Sequence, residues 1–191
     1  FIETINEAKR FAELEKLVTF GVSPTKPETG YGYIESTHIL SKKVKVSPIK
    51  QFVEKPSYEI AEKYLKDRHF SWNSGIFLFK ASSIIKALEK YEPNLLAFCM
   101  ESLSKSTTDF DFQRLDKDSF RKCANISIDN AVMEKTKDSY VVPLNAGWSD
   151  VGNWGALWNL EEKDKNGNVI IGDVFTNDVK NMENNSVILS G

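Results

Sequence analysis

Apolar, β-branched runs alternate along this chain with segments of helical periodicity, and this alternation constrains the fold more than any other feature. LVTFGV at 17–22 and FSWNSGIFLFKA at 70–81 have the composition of buried strands. Residues 2–16 and 57–67 instead carry apolar side chains at helix spacing. Strands that alternate with helices favour an α/β fold, in which helices cover a sheet.

The remaining segments extend this pattern up to about residue 160. We predict further strands at 33–37, 42–53 and 139–148. We predict further helices from a cap at Ser82 or Ser83 to Leu88, over 93–124 with a polar interruption at 106–109, over 127–136, and after a cap at Asn153.

The sequence pattern of the chain changes after Lys165, where short apolar runs are separated by Asn, Asp and Gly. A turn at Asn166-Gly167 is expected to begin a series of short strands, so we predict a β-rich extension over 166–191. Residues 1–165 begin in a helix, whereas an α/β domain usually opens with a core strand and a ligand loop. We therefore expect 1–165 to be the later part of a domain.

The composition excludes several classes of protein. Of the 191 residues 41% are apolar and 27% charged, as in ordinary globular proteins, and no apolar run approaches the roughly 20 residues of a membrane helix. A net charge of −2 argues against a broad nucleic-acid surface. The two cysteines have no metal-ligand spacing, which favours a reducing compartment. We expect a cytoplasmic protein without a nucleic-acid or membrane partner.

TKPETGYGYIE at 25–35 places glycines and tyrosines alternately where a strand should begin. Gly30 and Gly32 remove side chains where another group could approach the backbone, and Tyr31 and Tyr33 would point to one side of the strand. The segment is therefore either a ligand wall built from backbone and rings, or a bend whose tyrosines only pack.

Two further stretches end or begin strands with polar side chains. Glu54 and Lys55 in QFVEKP alternate across a strand end, where they either meet sugar hydroxyls and a phosphate or form a solvated pair. Asn73 in WNSGIF either reads a sugar hydroxyl or holds a turn.

GWSDVGNWGALW at 147–158 is the densest polar and aromatic stretch of the chain. Asp150 follows a strand and lies between Trp148 and Trp154. A carboxylate after a strand is where α/β folds place metal and ligand groups, although Asp150 could instead cap the last helix.

Five segments in this order carry a more specific signal: FGVSPTKPETGYGYIE, QFVEKP, WNSGIFLFKAS, SIDNAVMEKT and NAGWSDVGNWGALW. Together they cover the chain from about Leu17 to Trp158. They resemble the bacterial mannose-1-phosphate guanylyltransferases, of the type often fused to a phosphomannose isomerase domain. The resemblance implies a mixed, Rossmann-like nucleotidyltransferase sheet flanked by helices. It also implies an enzyme that uses Mg²⁺ to join GTP and mannose 1-phosphate into GDP-mannose and pyrophosphate.

The same resemblance assigns roles position by position. Backbone at Tyr31 and Gly32 would line the sugar-nucleotide cleft, Glu54 would bind sugar hydroxyls and Asn73 would contact the sugar. The implied catalytic residues are Lys55, which meets a phosphate, and Asp150, which holds the metal ion.

Some parts that the resemblance implies are not in this sequence. These are the glycine-rich triphosphate loop and a second metal carboxylate, so we expect this chain alone to turn nothing over. Asn130 stands where relatives commonly carry a tyrosine. Two alternatives stay open: mannose-6-phosphate isomerase activity from a fused domain, and a catalytically silent sugar-nucleotide-binding subunit. A homo-oligomer is compatible with either.

Overall fold

The computed structural model describes residues 1–152, 154–175 and 187–189. These residues divide into unit 1, Phe1–Ala146, and unit 2, Gly147–Gly191. The change of substructure predicted near residue 166 falls inside unit 2, and as a domain boundary it stays a prediction.

Unit 1 alternates helices and strands, as the sequence predicts. Its elements are α1 (Ile2–Glu13), β1 (Leu17–Val22), β2 (Tyr33–Ser36), β3 (Ser47–Val53), α2 (Tyr58–Lys66), β4 (Phe70–Leu78), α3 (Ala81–Tyr91), α4 (Pro93–Ser104), β5 (Thr107–Asp109), β6 (Phe112–Arg114), α5 (Lys117–Phe120), a π-helical turn (Asp129–Met133) and β7 (Ser139–Pro143). The α/β class is therefore confirmed.

The sheet of unit 1 is mixed, and it closes into a ring in the order β1-β4-β2-β3-β7, with β7 returning to β1. The β1–β7 pair is parallel, whereas the other pairs are antiparallel. Close contact inside the ring needs a glycine, since a β-carbon on Gly21 would lie 2.4 Å from Ser71 Oγ and 2.8 Å from Val141 Cγ2. The family resemblance implies the mixed sheet, and nothing in the sequence predicts its closure.

The core lies between this sheet and the π-helical turn. Ala131, Val132 and Met133 of the turn are buried against Ile34 and Val141 of the sheet. Burying side chains of this size contributes roughly 1–3 kcal/mol each to folding. The packing therefore fixes the turn on the sheet, and with it the polar residue that begins the turn.

Residues 42–46 form a loop, so the strand predicted over 42–53 is wrong in its first part. Ser41 Oγ accepts hydrogen bonds from the backbone N–H groups of Lys43 (3.2 Å) and Val44 (3.1 Å). A serine that satisfies nearby backbone donors offers the chain an alternative to strand pairing, and β3 begins only at Ser47.

The helical prediction for 93–124 is also wrong over 110–116 and 121–124, although α4 and α5 confirm it elsewhere and the polar interruption predicted at 106–109 begins close to where α4 ends. A hairpin follows, in which β5 pairs with β6 around Phe110 in a left-handed conformation (φ 52°). Asp116 then caps α5 through a hydrogen bond that its Oδ2 accepts from Ser119 N (2.8 Å). The cap predicted at Ser82 or Ser83 is wrong as well, because α3 begins at Ala81 without a side-chain cap.

Unit 2 contains α6 (Trp154–Leu160), β8 (Val169–Ile171) and β9 (Val187–Leu189), with β8 and β9 paired in parallel. Trp158 Nε1 donates to the carbonyl of Gly167 (2.9 Å), which ties α6 to the turn before β8. The predicted cap Asn153 lies outside the described residues. Within the described ranges of both units, no helix has the length and apolar character needed to cross a membrane.

Candidate functional site

The segment TKPETGYGYIE at 25–35, with its alternating glycines and tyrosines, folds back on itself before β2 begins at Tyr33. The backbone N–H of Glu28 donates to the hydroxyl of Tyr33 (3.0 Å), and Gly30 N donates to Glu28 Oε1 (3.1 Å). Lys26 lies 2.9 Å from Glu28 Oε2, and its hydrogen bond lowers the pKa of the Glu28 carboxyl below the ordinary range. The approach to β2 is therefore held by local polar contacts rather than by strand pairing.

The two tyrosines of this segment pack within one aromatic cluster. The ring of Tyr31 meets Trp72 edge to face, with 5.3 Å between ring centroids, while Tyr33 is fully buried and packs on Tyr64. Both rings belong to the same side of the sheet, as predicted. Tyr31 keeps partial exposure, so only its ring is placed to contact a ligand.

Gly32 marks the point where backbone, a carboxylate and an amide side chain come together. A β-carbon on Gly32 would lie 2.7 Å from Glu54 Oε2 and 3.4 Å from Asn73 Cβ. The carbonyl of Gly32 accepts a hydrogen bond from Asn73 N (2.7 Å). The structure therefore brings three of the predicted site residues to one spot, where the Glu54 carboxylate approaches the backbone of Gly32 closely. We name this group of Gly32, Glu54 and Asn73 the Gly32 cradle.

Lys55 adds a positive charge beside the cradle. β3 ends at Val53, and Lys55 adopts the left-handed backbone region with φ 44°. Its ammonium lies 3.3 Å from Glu54 Oε1, and its side chain is 65% exposed against 23% for Glu54. The sequence interpretation, in which Glu54 and Lys55 alternate across a strand, is thus wrong, because the strand has already ended and the turn brings both charges together.

Asn73 is held by contacts on both ends of its amide. Asn73 Oδ1 lies 3.0 Å from Thr19 Oγ1 and 3.2 Å from Gly75 N, while Asn73 Nδ2 donates to Asp129 Oδ1 (3.1 Å). Asp129 begins the π-helical turn and is only partly exposed; burial raises the pKa of its carboxyl, although its hydrogen bonds oppose that shift.

The sequence indicates no role for Thr19 or Asp129. Asp129 lies in SIDNAVMEKT, a segment that the resemblance already singles out, so a signal is present without a chemical assignment. Thr19 sits inside an apolar strand, and only the pairing of β1 with β4 shows that its hydroxyl reaches Asn73.

Asp150 belongs to unit 2, where its carboxylate is exposed. Its oxygens lie 3.7 and 3.8 Å from the point that a β-carbon on Gly152 would occupy. An exposed carboxylate next to a glycine is accessible to a hydrated Mg²⁺ ion, which commonly binds through one or two carboxylates and keeps several waters. Asp150 therefore fits the part of one metal ligand. The described residues contain no group of three or more His, Cys, Asp or Glu side chains that would hold a metal by themselves.

Taken chemically, the cradle offers a hydrogen-bond acceptor in Glu54, a donor in the amide of Asn73, and a cation in Lys55. Such a set binds a polyol through its hydroxyl groups and a neighbouring phosphate through its charge. Glu54, Asn73 and Lys55 do not form a nucleophile–base pair of the kind used in covalent catalysis, because no described Ser or Cys side chain is hydrogen-bonded to any of them.

Comparison of the chain with known proteins gives a family match and similar curated relatives. The family model for "Nucleotidyl transferase" matches residues 2–167. A "Mannose-1-phosphate guanylyltransferase" from Salmonella montevideo is 49% identical over 185 residues, which are 95% of this chain and 39% of the relative. The "Xanthan biosynthesis protein XanB" of Xanthomonas campestris pv. campestris (strain B100) is 45% identical over 95% of this chain and 38% of its own length. This chain thus spans about two fifths of these curated relatives.

Solved structures share the fold. A structure described as a mannose-1-phosphate geranyltransferase from Thermus thermophilus aligns with a TM-score of 0.71 and 30% identity, over 90% of this chain and 48% of the other. A mannose-6-phosphate isomerase from Helicobacter pylori aligns with a TM-score of 0.70 and 36% identity, over 78% of this chain and 57% of the other. These alignments support the Rossmann-like mixed fold that the resemblance implies.

Proposed function

We propose a function for the whole protein from the premise that this chain belongs to the nucleotidyl transferase family. The whole protein joins GTP and mannose 1-phosphate into GDP-mannose and releases pyrophosphate. The names of its curated relatives support this choice of nucleotide and sugar. The name of the xanthan protein supports a role in polysaccharide biosynthesis.

The observation that carries the proposal is the convergence of Glu54 and Asn73 on the backbone of Gly32. A sugar hydroxyl in the cradle donates to the Glu54 carboxylate and accepts from the Asn73 amide. Tyr31 contributes a ring at the same end of β2. This combination recognises a neutral polyol, whereas a purely phosphate-binding site would present cations and backbone N–H groups.

Lys55 supplies the charge that the reaction needs. In nucleotidyl transfer a phosphate oxygen of the sugar phosphate attacks the α-phosphorus of the nucleotide and pyrophosphate leaves. An ionised phosphate needs no general base, so catalysis consists of positioning and of neutralising charge. The ammonium of Lys55, beside the cradle and 65% exposed, holds the attacking phosphate of a sugar that Glu54 and Asn73 have bound.

Asp150 is the residue that we assign to Mg²⁺. The ion, when bound, supplies charge neutralisation between the phosphate groups. The exposed Asp150 carboxylate would supply one oxygen ligand to the ion.

We place this reaction in the cytoplasm and expect neither a nucleic-acid nor a membrane partner. The substrates are small phosphates of central metabolism, and Cys99 and Cys123 are free thiols. A homo-oligomer stays a prediction.

The proposal is tested on the whole protein by measuring pyrophosphate release from GTP, Mg²⁺ and mannose 1-phosphate. Glu54→Gln removes the carboxylate of the cradle, and we expect at least a roughly tenfold rise in KM for mannose 1-phosphate, on the order of one charged hydrogen bond. Glu35→Gln is the matched control, because Glu35 is also ion-paired to a lysine (Lys50, 2.5 Å) on the same sheet. Absence of pyrophosphate release by the unmodified whole protein would refute the proposal.

The name of the Helicobacter pylori protein favours a second candidate, the isomerisation of mannose 6-phosphate. Isomerase chemistry would come from residues outside the described chain. An assay for conversion of mannose 6-phosphate to its ketose isomer separates the two candidates, because Glu54→Gln should leave that activity unchanged. Binding of GDP-mannose without either activity would instead indicate a silent binding subunit.

A further inference from the structure

Asn73 has an amide whose orientation is set by its neighbours. The backbone N–H of Gly75 is a donor only, and it lies 3.2 Å from Asn73 Oδ1. The carboxylate of Asp129 is an acceptor when ionised, and it lies 3.1 Å from Asn73 Nδ2. Rotating the amide by half a turn would set donor against donor at Gly75 and acceptor against acceptor at Asp129. The oxygen end therefore faces Gly75 and the nitrogen end faces Asp129.

We propose that Asp129 is a positioning residue that makes Asn73 present an N–H group, and not its carbonyl oxygen, to a sugar hydroxyl in the Gly32 cradle. This inference rests on the proposed function, because it assigns the donor in the sugar site of that reaction. It goes further by giving the amide a direction and by naming the residue that sets it.

The count of hydrogen-bonding positions supports this assignment. Asn73 Oδ1 has two lone pairs, and Gly75 N–H and the Thr19 hydroxyl (3.0 Å) fill them. Thr19 can alternatively turn its single proton to the carbonyl of Ile76 (3.1 Å), but the Gly75 contact remains in either case. Of the two N–H groups on Asn73 Nδ2, Asp129 takes one. Among the described residues the other N–H has no hydrogen-bond partner, so one N–H is left for a ligand.

Asp129 can hold this amide because its own position is fixed. It begins the π-helical turn, whose Ala131, Val132 and Met133 are buried in the core. Asp129 is therefore anchored from the interior of unit 1, and its carboxylate meets Asn73 on β4 across the fold. A side chain fixed in this way loses little entropy on ligand binding, which is the advantage of a preorganised site.

The opposite wall of the cradle has complementary polarity. Glu54 Oε2 lies 2.7 Å from the point of a β-carbon on Gly32, and Asn73 Cβ lies 3.4 Å from the same point. Glu54 only accepts and the remaining N–H of Asn73 only donates, so a ligand hydroxyl that contacts both groups would satisfy both at once. A sugar phosphate that lacks the hydroxyl at this position leaves both groups without a partner, which costs more affinity than one lost hydrogen bond.

The test uses three variants of the whole protein. Asp129→Ala removes the acceptor, and we expect a rise of about tenfold in KM for mannose 1-phosphate, with KM for GTP unchanged. Asp129→Asn keeps an oxygen that accepts from Asn73, so it should restore most of the affinity. Asp118→Asn is the control, because Asp118 is 88% exposed on α5 and pairs only weakly with Arg121 (3.7 Å).

The exchange of the two side chains separates positioning from simple stability. Asn73→Asp alone sets two carboxylates against each other and should lower the Tm. The double variant Asn73→Asp with Asp129→Asn re-forms the contact with the donor on the opposite side, so its Tm should recover. Its KM for mannose 1-phosphate should stay at least about tenfold raised, because a carboxylate at position 73 offers the ligand only acceptor oxygens.

Two results would overturn this inference. One is recovery of both Tm and KM in the double variant, which would show that the direction of the amide does not matter. The other is an unchanged KM in both Asp129→Ala and Asp129→Asn. The Tm measurements need no substrate, and a whole protein that releases no pyrophosphate would refute the proposed function separately. In that case a ligand-induced rise of Tm by mannose 1-phosphate replaces KM, and the same two patterns decide.

Discussion

The Oε2 oxygen of Glu54 lies 2.7 Å from the point where a β-carbon on Gly32 would stand. This distance is shorter than any normal contact between carbon and oxygen, so the glycine is required by the carboxylate as it is placed. This contact links the residue just before β2 to the residue just after β3, which are far apart in the sequence.

Gly32→Ala should therefore disturb the cradle. The added methyl group pushes the Glu54 carboxylate out of position, and we expect KM for mannose 1-phosphate to rise about tenfold. The unfolding free energy should fall by less than about 1 kcal/mol, because the displaced atoms are the end of a flexible side chain. Gly30→Ala is the matched control, because its β-carbon would also face a glutamate carboxylate but at 3.3 Å from Glu28 Oε1 instead of 2.7 Å. Equal kinetics for the two alanine variants would contradict this account.

Lys55 combines a functional charge with an unfavourable backbone conformation (φ 44°). Lys55→Ala and Lys55→Gly both remove the ammonium and its ion pair, so both should lose most of the transfer activity. Glycine adopts the left-handed region without strain, and we expect Lys55→Gly to be more stable than Lys55→Ala by about 1 kcal/mol in chemical denaturation. Greater stability of the alanine variant would argue against strain at this position.

Glu28 should make the stability of unit 1 depend on pH. Its pKa is lower in the folded protein than its ordinary value of 4.5, chiefly because of the hydrogen bond from Lys26. The ionised form therefore stabilises the fold above the unfolded pKa, and this stabilisation is lost as the pH falls through the lowered folded pKa.

Glu28→Gln lacks this contribution. Its unfolding free energy should be lower than that of the unmodified protein at about pH 7, and the difference should shrink towards about pH 3, as measured by urea denaturation. A difference that stays constant between these two pH values would show that the charge of Glu28 contributes nothing to folding.

Asp150→Asn should weaken the use of Mg²⁺. An amide oxygen is a poorer ligand than a carboxylate, so we expect transfer to need a higher Mg²⁺ concentration and to slow at least about tenfold at limiting metal, on the order of the loss of one charge-bearing ligand. Asp173→Asn is the control within unit 2, since Asp173 is also exposed. The measurement is pyrophosphate release during a Mg²⁺ titration, with chelation by EDTA as the lower limit. Identical titration curves for the two variants would remove Asp150 from the metal site.

The predictions from sequence differ in quality from one kind of element to another. β1 at Leu17–Val22 agrees with the predicted strand residue for residue, because an apolar, β-branched run between turn residues favours a buried strand. The sequence predicts an interruption where β5 forms but helix where β6 forms, since the three exposed residues of β6 carry no periodic signal. Local propensity is weak where tertiary contacts do not reinforce it.

The candidate site shows the same division. The chemical character of Glu54, Lys55 and Asn73 is readable in the sequence, because Glu54 and Lys55 follow a strand with a clear pattern and Asn73 lies within another. The left-handed turn at Lys55 cannot be predicted from the sequence, since lysine rarely adopts that conformation and only its surroundings can impose it.

The order of residues alone was enough to establish an α/β chain with polar groups at its strand ends, since periodicity and turn chemistry act over a few neighbouring residues. The closure of the sheet and the contact of Asp129 with Asn73 depended on the folded chain. Those two residues stand 56 positions apart, and a contact over such a separation follows from core packing and strand pairing, which no local pattern records.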